Sequence, residues 1–379
     1  MNRESGKKGS ILRDDGFQTI AGSLLCIIIG LLAGYIVLLI INPGGAGKAI
    51  LAILKNFLYY PSAAASMKYF GTTLVKASAL LMCSLSVLFA WKVGLFNIGA
   101  AGQYVIGAGA SLYFGLQFGM PWYVCLLAAV LAAAVVGGIS GALKAYFNVN
   151  EVISCIMLNW IGLYCVNMLL TKVKEQSTPY TRSLESTNKS ALLPNAGLDS
   201  FFSGNEFVTI GVPLAVLMAV IAWILLEKTK FGYELKATGM NKNAAKYCGM
   251  REKRNIIVTM MIAGGLAGFG AGIFYLSGIE QWMVQQTSIP AMGFNGIAAA
   301  FLGGSNPIGA VFSSYFIQHI TSGGTYVDKT MYCTQISDLI SAFIIYLCGF
   351  VLFFKLKLNR YLDRRDEKIA AKEQKGGEA

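Results

Sequence analysis

Residues 94–115 read GLFNIGAAGQYVIGAGASLYFG, an uncharged stretch long enough to cross a bilayer. A helix of about 20 apolar residues spans the hydrocarbon core. The stretch nevertheless contains Asn97, Gln103 and several glycines, which are unfavourable in a helix that faces lipid. Because polar side chains inside a membrane face protein or water, the stretch predicts a helix in the interior of a bundle.

The rest of the chain has the composition of a membrane protein. Its 379 residues are 55% hydrophobic and 13% charged, whereas a soluble domain carries about 25% charged residues. The apolar residues form blocks of spanning length. We therefore predict an all-α bundle of ten transmembrane helices, near 20–41, 73–91, 95–115, 121–142, 151–171, 207–226, 256–277, 291–303, 306–322 and 337–354.

Lys and Arg predict the orientation, because cytoplasmic loops of membrane proteins are enriched in both. With both termini in the cytoplasm, the cytoplasmic segments carry 22 basic residues and the outer loops carry 8. The chain then divides into a cytoplasmic arm, a transmembrane domain and a cytoplasmic tail, at 1–19, 20–354 and 355–379. An extracellular loop covers 172–206 and a cytoplasmic loop covers 227–255. This bias accounts for the net charge of +12 without a nucleic acid partner.

The sequence predicts no catalytic residue, cofactor or metal site. The segment NPGGAGKA (42–49) lacks the first Gly and the final Ser or Thr of a phosphate-binding loop, and has Asn42 and Ala49 instead. His319 lies in the ninth predicted span without a cluster of metal ligands, which favours a packed, hydrogen-bonded histidine. Six of the eight cysteines lie inside predicted spans, which indicates packing rather than disulfides.

A weak internal repeat suggests a transporter. LFNIGAAG (95–102) and GFNGIAAA (293–300) open the third span of each group of five, and two groups of five insert with opposite orientation. Inverted repeats with broken, glycine-rich helices flank the permeation path of many transporters. We therefore predict an inverted repeat, and a path beside the intramembrane polar residues. These are Asn97, Gln103, Glu151, Asn159, Asn295 and Asn306. An equally good interpretation of Gln103 is a hydrogen bond between packed helices.

The segment FGYELKATGMNKNAAKYCGMREKRN (231–255) is longer than a hairpin between two spans requires. Asn241 is a favourable N-cap and Gly249 a favourable residue just past a helix end. Between them, an apolar face at helical spacing predicts a short amphipathic helix, with the residues Met240, Ala244, Tyr247 and Cys248. Such a helix either packs against lipid headgroups or presents this face to a cytoplasmic partner, and spacing does not choose between the two.

Five motifs, in order along nearly the whole chain, carry a family resemblance. They are GLFNIGAAGQ (94–103), NEVISCIMLNWI (150–161), GYELKATGMNKNAAKYCGM (232–250), AGGLAGFGAG (263–272) and GFNGIAAAFLGGSNPIGA (293–310). The chain resembles the permease subunits of bacterial ABC importers in the branched-chain amino acid, simple sugar and nucleoside branch. The family's first motif usually reads NIGAEGQ, and this chain has Ala101 in place of the acid.

The resemblance implies a transport subunit without ATP chemistry of its own, which moves a small polar solute into the cell. It implies that 232–250 docks on a separate ABC ATPase, through Gly232, Glu234, Ala237, Gly239, Ala244, Ala245 and Gly249. Further implied partners are a second permease, identical or different, and an extracellular substrate-binding lipoprotein.

The cargo is left open between two classes. The long N-terminal arm and the first outer loop (42–72) are most similar to the nucleoside branch, and simple sugars are the alternative. An ion-coupled transporter would require an intramembrane acid, for which only Glu151 and Asp338 are candidates. A membrane scaffold would leave the glycine-rich spans unexplained.

Overall fold

The computed structural model describes residues 15–333, 335–348, 350, 353, 357 and 360–364. The long helices are α1 (Asp15–Ile41), α2 (Ala46–Lys55), α3 (Ala63–Lys92), α4 (Ala100–Gln117), α5 (Trp122–Phe147) and α6 (Glu151–Leu170). After two single turns, α7 (Leu184–Thr187) and α8 (Leu198–Phe201), come α9 (Gly211–Lys228), α10 (Lys230–Met240), α11 (Lys242–Tyr247) and α12 (Glu252–Tyr275). The described part ends with α13 (Met292–Leu302), α14 (Pro307–Gly323) and α15 (Ile336–Cys348).

The all-α prediction is confirmed for the described residues, and each predicted span overlaps one helix. In the part of the chain that the structure describes, six helices are long and apolar enough to cross a membrane: α1, α3, α5, α6, α9 and α12. The count of ten crossings and the cytoplasmic placement of the termini stay predictions. Most of the predicted arm, all but the start of the predicted tail and part of 337–354 lie outside the described residues.

Helices α3 and α12 form the centre of the bundle, because most of their side chains are buried. Glycines bring α12 against α5, since a methyl group on Gly264 would overlap the carbonyl oxygen of Ala133. Gly268 approaches Ala129 in the same way. Association of membrane helices depends on close van der Waals contact, for which small residues are required.

The predicted third span is wrong at its start. Residues 95–99 are not helical, and α4 begins at Ala100. The chain leaves α3 through a turn at Gly94, whose φ is 76°, a conformation that favours glycine. Asn97 therefore precedes the helix on which the sequence placed it.

Helices α4 and α13 begin well inside the bundle. Gly293 lies against the backbone of Ala101, and Gly296 lies against Cys83 of α3. Cys83 precedes the end of α3 by nine residues, roughly 13 Å of helix. The first turns of α4 and α13 thus meet each other at a depth where α3 is still helical.

Candidate functional site

The long loop after α9 folds into two short helices, α10 and α11, rather than one. The predicted cap is confirmed, because Asn241 Oδ1 accepts a hydrogen bond from the Ala244 amide at 3.0 Å. The predicted stop is confirmed too, since Gly249 has a φ of 78° just after α11. Local sequence signals therefore determined both ends of α11.

Helix α10 is held tightly against the bundle. Gly232 packs on the carbonyl groups of Leu225 and Leu226 at the end of α9. Thr238 accepts a hydrogen bond from Asn255 of α12 at 3.1 Å. The ion pair of Lys236 with Glu227, 2.6 Å long, adds a second contact with α9. Helix α10 is therefore in direct contact with both α9 and α12.

The apolar face predicted for this loop points away from the bundle. Met240 is 87% exposed and Tyr247 is 92% exposed. Ala244 and Cys248 are exposed beside them, and so are Lys242 and Lys246. Large apolar side chains that project together from an ordered surface mark an interaction site. We name Met240, Ala244, Tyr247 and Cys248 the exposed face.

The glycines and alanines that the resemblance assigned to docking have different environments. Gly232 and Ala245 are buried within the chain itself, and Ala245 is only 3% exposed. Glu234, Ala237 and Gly239 are half-buried, while Ala244 and Gly249 are exposed. Within this chain, the small side chains at positions 232 and 245 therefore serve the packing of α10 and α11.

The polar side chains of the opening stretch form a buried cluster. Asn97, Gln103 and Asn159 are exposed by 0%, 1% and 2%. Asn97 Nδ2 donates to Gln103 Oε1 at 2.9 Å and lies 3.1 Å from Ser86 Oγ as a second acceptor. We name these residues and Ser86 the buried polar cluster.

Asn159 of α6 forms hydrogen bonds with the backbone on both sides of the start of α4. Its Oδ1 accepts from the Gly102 amide at 2.9 Å, and its Nδ2 donates to the Ile98 carbonyl at 3.1 Å. A helix start and an irregular segment both leave backbone groups unpaired, and these are costly away from water. The cluster therefore makes a broken helix stable inside the bundle. For Gln103, a packing hydrogen bond is the interpretation that this geometry supports.

The remaining candidates for a path lie apart from the buried polar cluster. Glu151 forms an ion pair with Lys144 at 2.9 Å. Asn306 accepts from the Ile308 amide at 2.9 Å as the N-cap of α14. Asn295 is half-buried on α13. The structure thus joins three of the six predicted path residues and separates the other three.

His319 is hydrogen-bonded, as predicted. Its Nε2 lies 2.9 Å from the Leu54 carbonyl, and its Nδ1 lies 3.2 Å from Asn56 Nδ2. The ring therefore donates through Nε2 and accepts through Nδ1. Among the residues that the structure describes, no group of three or more His, Cys, Asp or Glu could hold a metal ion.

A cavity of about 210 Å³ lies between the loop after α6 and the end of α12. Arg182, Glu206, Tyr275 and Glu280 are among the residues that line it. Burial raises the pKa of Glu280, and nearby Lys76 opposes that rise. The loops around this cavity connect the opposite ends of the helices from those joined by α10 and α11. The bundle thus has a cavity at one end and the exposed face at the other.

We expect Asn159→Ala to destabilise the protein. The Gly102 amide and the Ile98 carbonyl would both lose their partner, at about 1–3 kcal/mol for each buried group. Thermal unfolding in detergent measures the loss. Asn42→Ala is the matched control, since Asn42 Oδ1 accepts from the Gly44 amide in an exposed turn at 3.1 Å. Equal melting temperatures for the two variants would contradict the bridging role of Asn159.

Comparisons with known proteins identify the family of the chain. The family model described as branched-chain amino acid transport system / permease component matches residues 69–349. The guanosine ABC transporter permease protein NupP of Bacillus subtilis is 32% identical over 327 residues, which cover 85% of this chain and 90% of that protein. No solved structure matches the chain.

Two further relatives are similar over most of their length. The nucleoside ABC transporter permease protein NupB of Lactococcus lactis is 31% identical over 348 residues, 89% of this chain and 92% of that protein. The glucose ABC transporter permease protein TsgB13 of Haloferax volcanii is 29% identical over 325 residues, 82% of this chain and 84% of that protein. With the family match and the apolar helices, they show that this chain belongs to the permease-component family of branched-chain amino acid transport systems and is a membrane-embedded transport subunit, not an enzyme.

Proposed function

We propose that this chain is the permease subunit of an ABC importer that moves a nucleoside into the cell. The exposed face is the observation that carries the proposal, because it gives a separate ATPase a place to act on a subunit that has no ATP chemistry. The relatives named as guanosine and nucleoside permeases support the cargo. Simple sugars are the second candidate, which the similarity to a glucose permease favours.

The partners follow from this proposal. The exposed face docks on an ABC ATPase at the cytoplasmic side, with Lys242 and Lys246 at its polar edge. Because α9 and α12 hold α10, a push on the exposed face reaches the bundle. A second permease, identical or related, completes the transmembrane part. An extracellular lipoprotein delivers the solute at the opposite end, where the cavity lined by Arg182, Glu206 and Glu280 lies.

The proposed translocation path runs beside the first turns of α4 and α13. The side chains of Asn97, Gln103 and Asn159 are buried. They stabilise the broken helix and do not face the path. Asn295 is half-buried on α13 and Asn306 caps α14. Glu151 lies at the start of α6. A pathway with amides and few charges suits a neutral polar solute.

An ion-coupled transporter is the less favoured alternative. It requires an intramembrane carboxylate that is free to bind a proton or sodium ion. The Glu151 carboxylate is engaged with Lys144 at 2.9 Å, and this ion pair disfavours a cation site there. Uptake that continues at the full rate without ATP hydrolysis would support the alternative.

Uptake measurements in proteoliposomes test the cargo. The complete complex, with its ATPase and its binding protein, is expected to accumulate labelled guanosine when ATP is supplied on the ATPase side. Unlabelled nucleosides should compete, and glucose or ribose at the same concentration should not, because specificity is a difference in affinity between the two solutes. Competition by a sugar and not by nucleosides would show that the cargo is the sugar. Accumulation with a hydrolysis-deficient ATPase would overturn the ABC mechanism.

A further inference from the structure

The end of α10 contacts the backbone at the end of α3, where the non-helical segment before α4 begins. A methyl group placed on Gly239 would lie 2.5 Å from the Lys92 carbonyl oxygen. One placed on Gly94 would lie 3.2 Å from the Gly239 carbonyl oxygen. Real Cβ atoms are not found at the shorter distance, so only glycine fits at position 239 without a shift of the backbone. The two segments meet backbone to backbone, with no flexible side chain between them.

In the segment that begins at this contact, residues 95, 97 and 99 are buried and several groups are hydrogen-bonded. The Leu95 amide donates to the Ala90 carbonyl at 3.0 Å, and Asn97 is bonded within the buried polar cluster. A methyl group on Gly99 would lie 2.9 Å from Cys155 Sγ. These contacts limit the alternative conformations that residues 94–99 can adopt.

The far end of the segment reaches the place where the first turns of α4 and α13 meet. Asn159 bonds both Ile98 and Gly102, so the segment and the first turn of α4 are held as one body with α6. Ala101 in that turn lies against Gly293 of α13 through backbone atoms. Only five residues, 95–99, separate Gly94 from α4. The short length limits how far a displacement can be absorbed before it reaches the helix start.

We propose that residues 94–99 are a rigid link that transmits the movement of α10 to the first turns of α4 and α13. Gly94, Gly239 and Asn159 are positioning residues for transport: the two glycines form the contact, and Asn159 joins the link to α4. When the ATPase displaces α10, the Gly239 backbone moves Gly94, and the link moves the helix start beside the translocation path. This inference rests on the proposed function.

The test compares Gly239→Ala and Asn159→Ala in the reconstituted complex, by the amount of solute moved per ATP hydrolysed. Coupling between two sites changes affinities and rates by about 5–150-fold, and we expect each variant to lower the ratio by about tenfold. ATP hydrolysis and co-purification with the ATPase should persist. Gly47→Ala is the matched control, since a methyl group there has nothing within 4 Å. Its ratio should equal that of the unmodified protein.

The double variant separates a link from two unrelated packing defects. Residues that act in one chain of contacts give non-additive effects, so the double variant should lie within about twofold of the worse single variant. An independent product of the two losses, about 100-fold at tenfold each, would overturn the link. Unchanged solute per ATP in either single variant would overturn it as well.

Folding defects and failure of the proposed function have their own signatures. If Gly239→Ala does not reach the membrane, Asn159→Asp decides, because it keeps the acceptor for the Gly102 amide and loses the donor to Ile98. A ratio like that of the unmodified protein would then overturn the link. If the unmodified chain neither assembles with an ABC ATPase nor takes up solute, the proposed function fails and the inference fails with it.

Discussion

Tyr247→Asp is expected to remove the ATPase from the complex while the permease still reaches the membrane. Tyr247 is 92% exposed at the end of α11, so its replacement disturbs no packing within the subunit. An aromatic anchor buried in a protein interface contributes about 2–4 kcal/mol, and a loss of that size weakens assembly by roughly 30-fold or more. Co-purification with the ATPase, at equal membrane levels, measures it.

The control for this variant is Phe201→Asp. Phe201 is 68% exposed on α8, in the loop after α6, at the opposite end of the helices from α11. This variant also loses a mostly exposed aromatic ring, and it should leave the ATPase bound. If the exposed face instead packs against headgroups, Tyr247→Asp will lower membrane levels and not the ratio of ATPase to permease. That result would remove the docking role. Ala245 is a poorer site for this test, because its burial mixes docking with folding.

Gly264→Ala is expected to destabilise the bundle by about 2–3 kcal/mol, the cost of overpacking a filled core. Its new methyl group would overlap the Ala133 carbonyl oxygen of α5, and a backbone group cannot rotate away. Thermal unfolding and the fraction that stays monodisperse in detergent both report the loss.

The adjacent glycine supplies the control. A methyl group on Gly265 would lie 3.4 Å from Val130, in ordinary contact. Gly265→Ala should keep or raise the melting temperature, because Ala is the better helix former by up to about 1 kcal/mol. Similar melting temperatures for the two variants would mean that α5 and α12 separate without cost.

The helices of this protein could be predicted because their signals are local. Runs of apolar residues of spanning length located the long helices, and the ends of α11 followed from Asn241 and Gly249. The exposed face was also visible in the spacing of Met240, Ala244, Tyr247 and Cys248. What spacing left open was whether this face is covered by the chain itself, since that depends on how α10 is held.

The broken start of α4 could not be predicted from its own residues. Most of the segment 95–99 is apolar, and Asn159, some sixty residues away, supplies two of the hydrogen bonds that let the backbone leave the helix. The same holds for Gly239 in the loop 232–250. It is required by the Lys92 carbonyl, which is far away in sequence.

The amino-acid sequence by itself determined that this protein is a helical membrane subunit, that its long helices lie in the apolar blocks, and which apolar face a partner could use. Those properties depend on the average polarity of consecutive residues and on helix-end signals a few residues long. Only the tertiary structure decided where α4 begins, why the polar side chains of 94–115 are stable in a membrane, and which elements α10 touches. These depend on backbone groups that find their partners across the bundle, and a linear pattern does not contain that pairing.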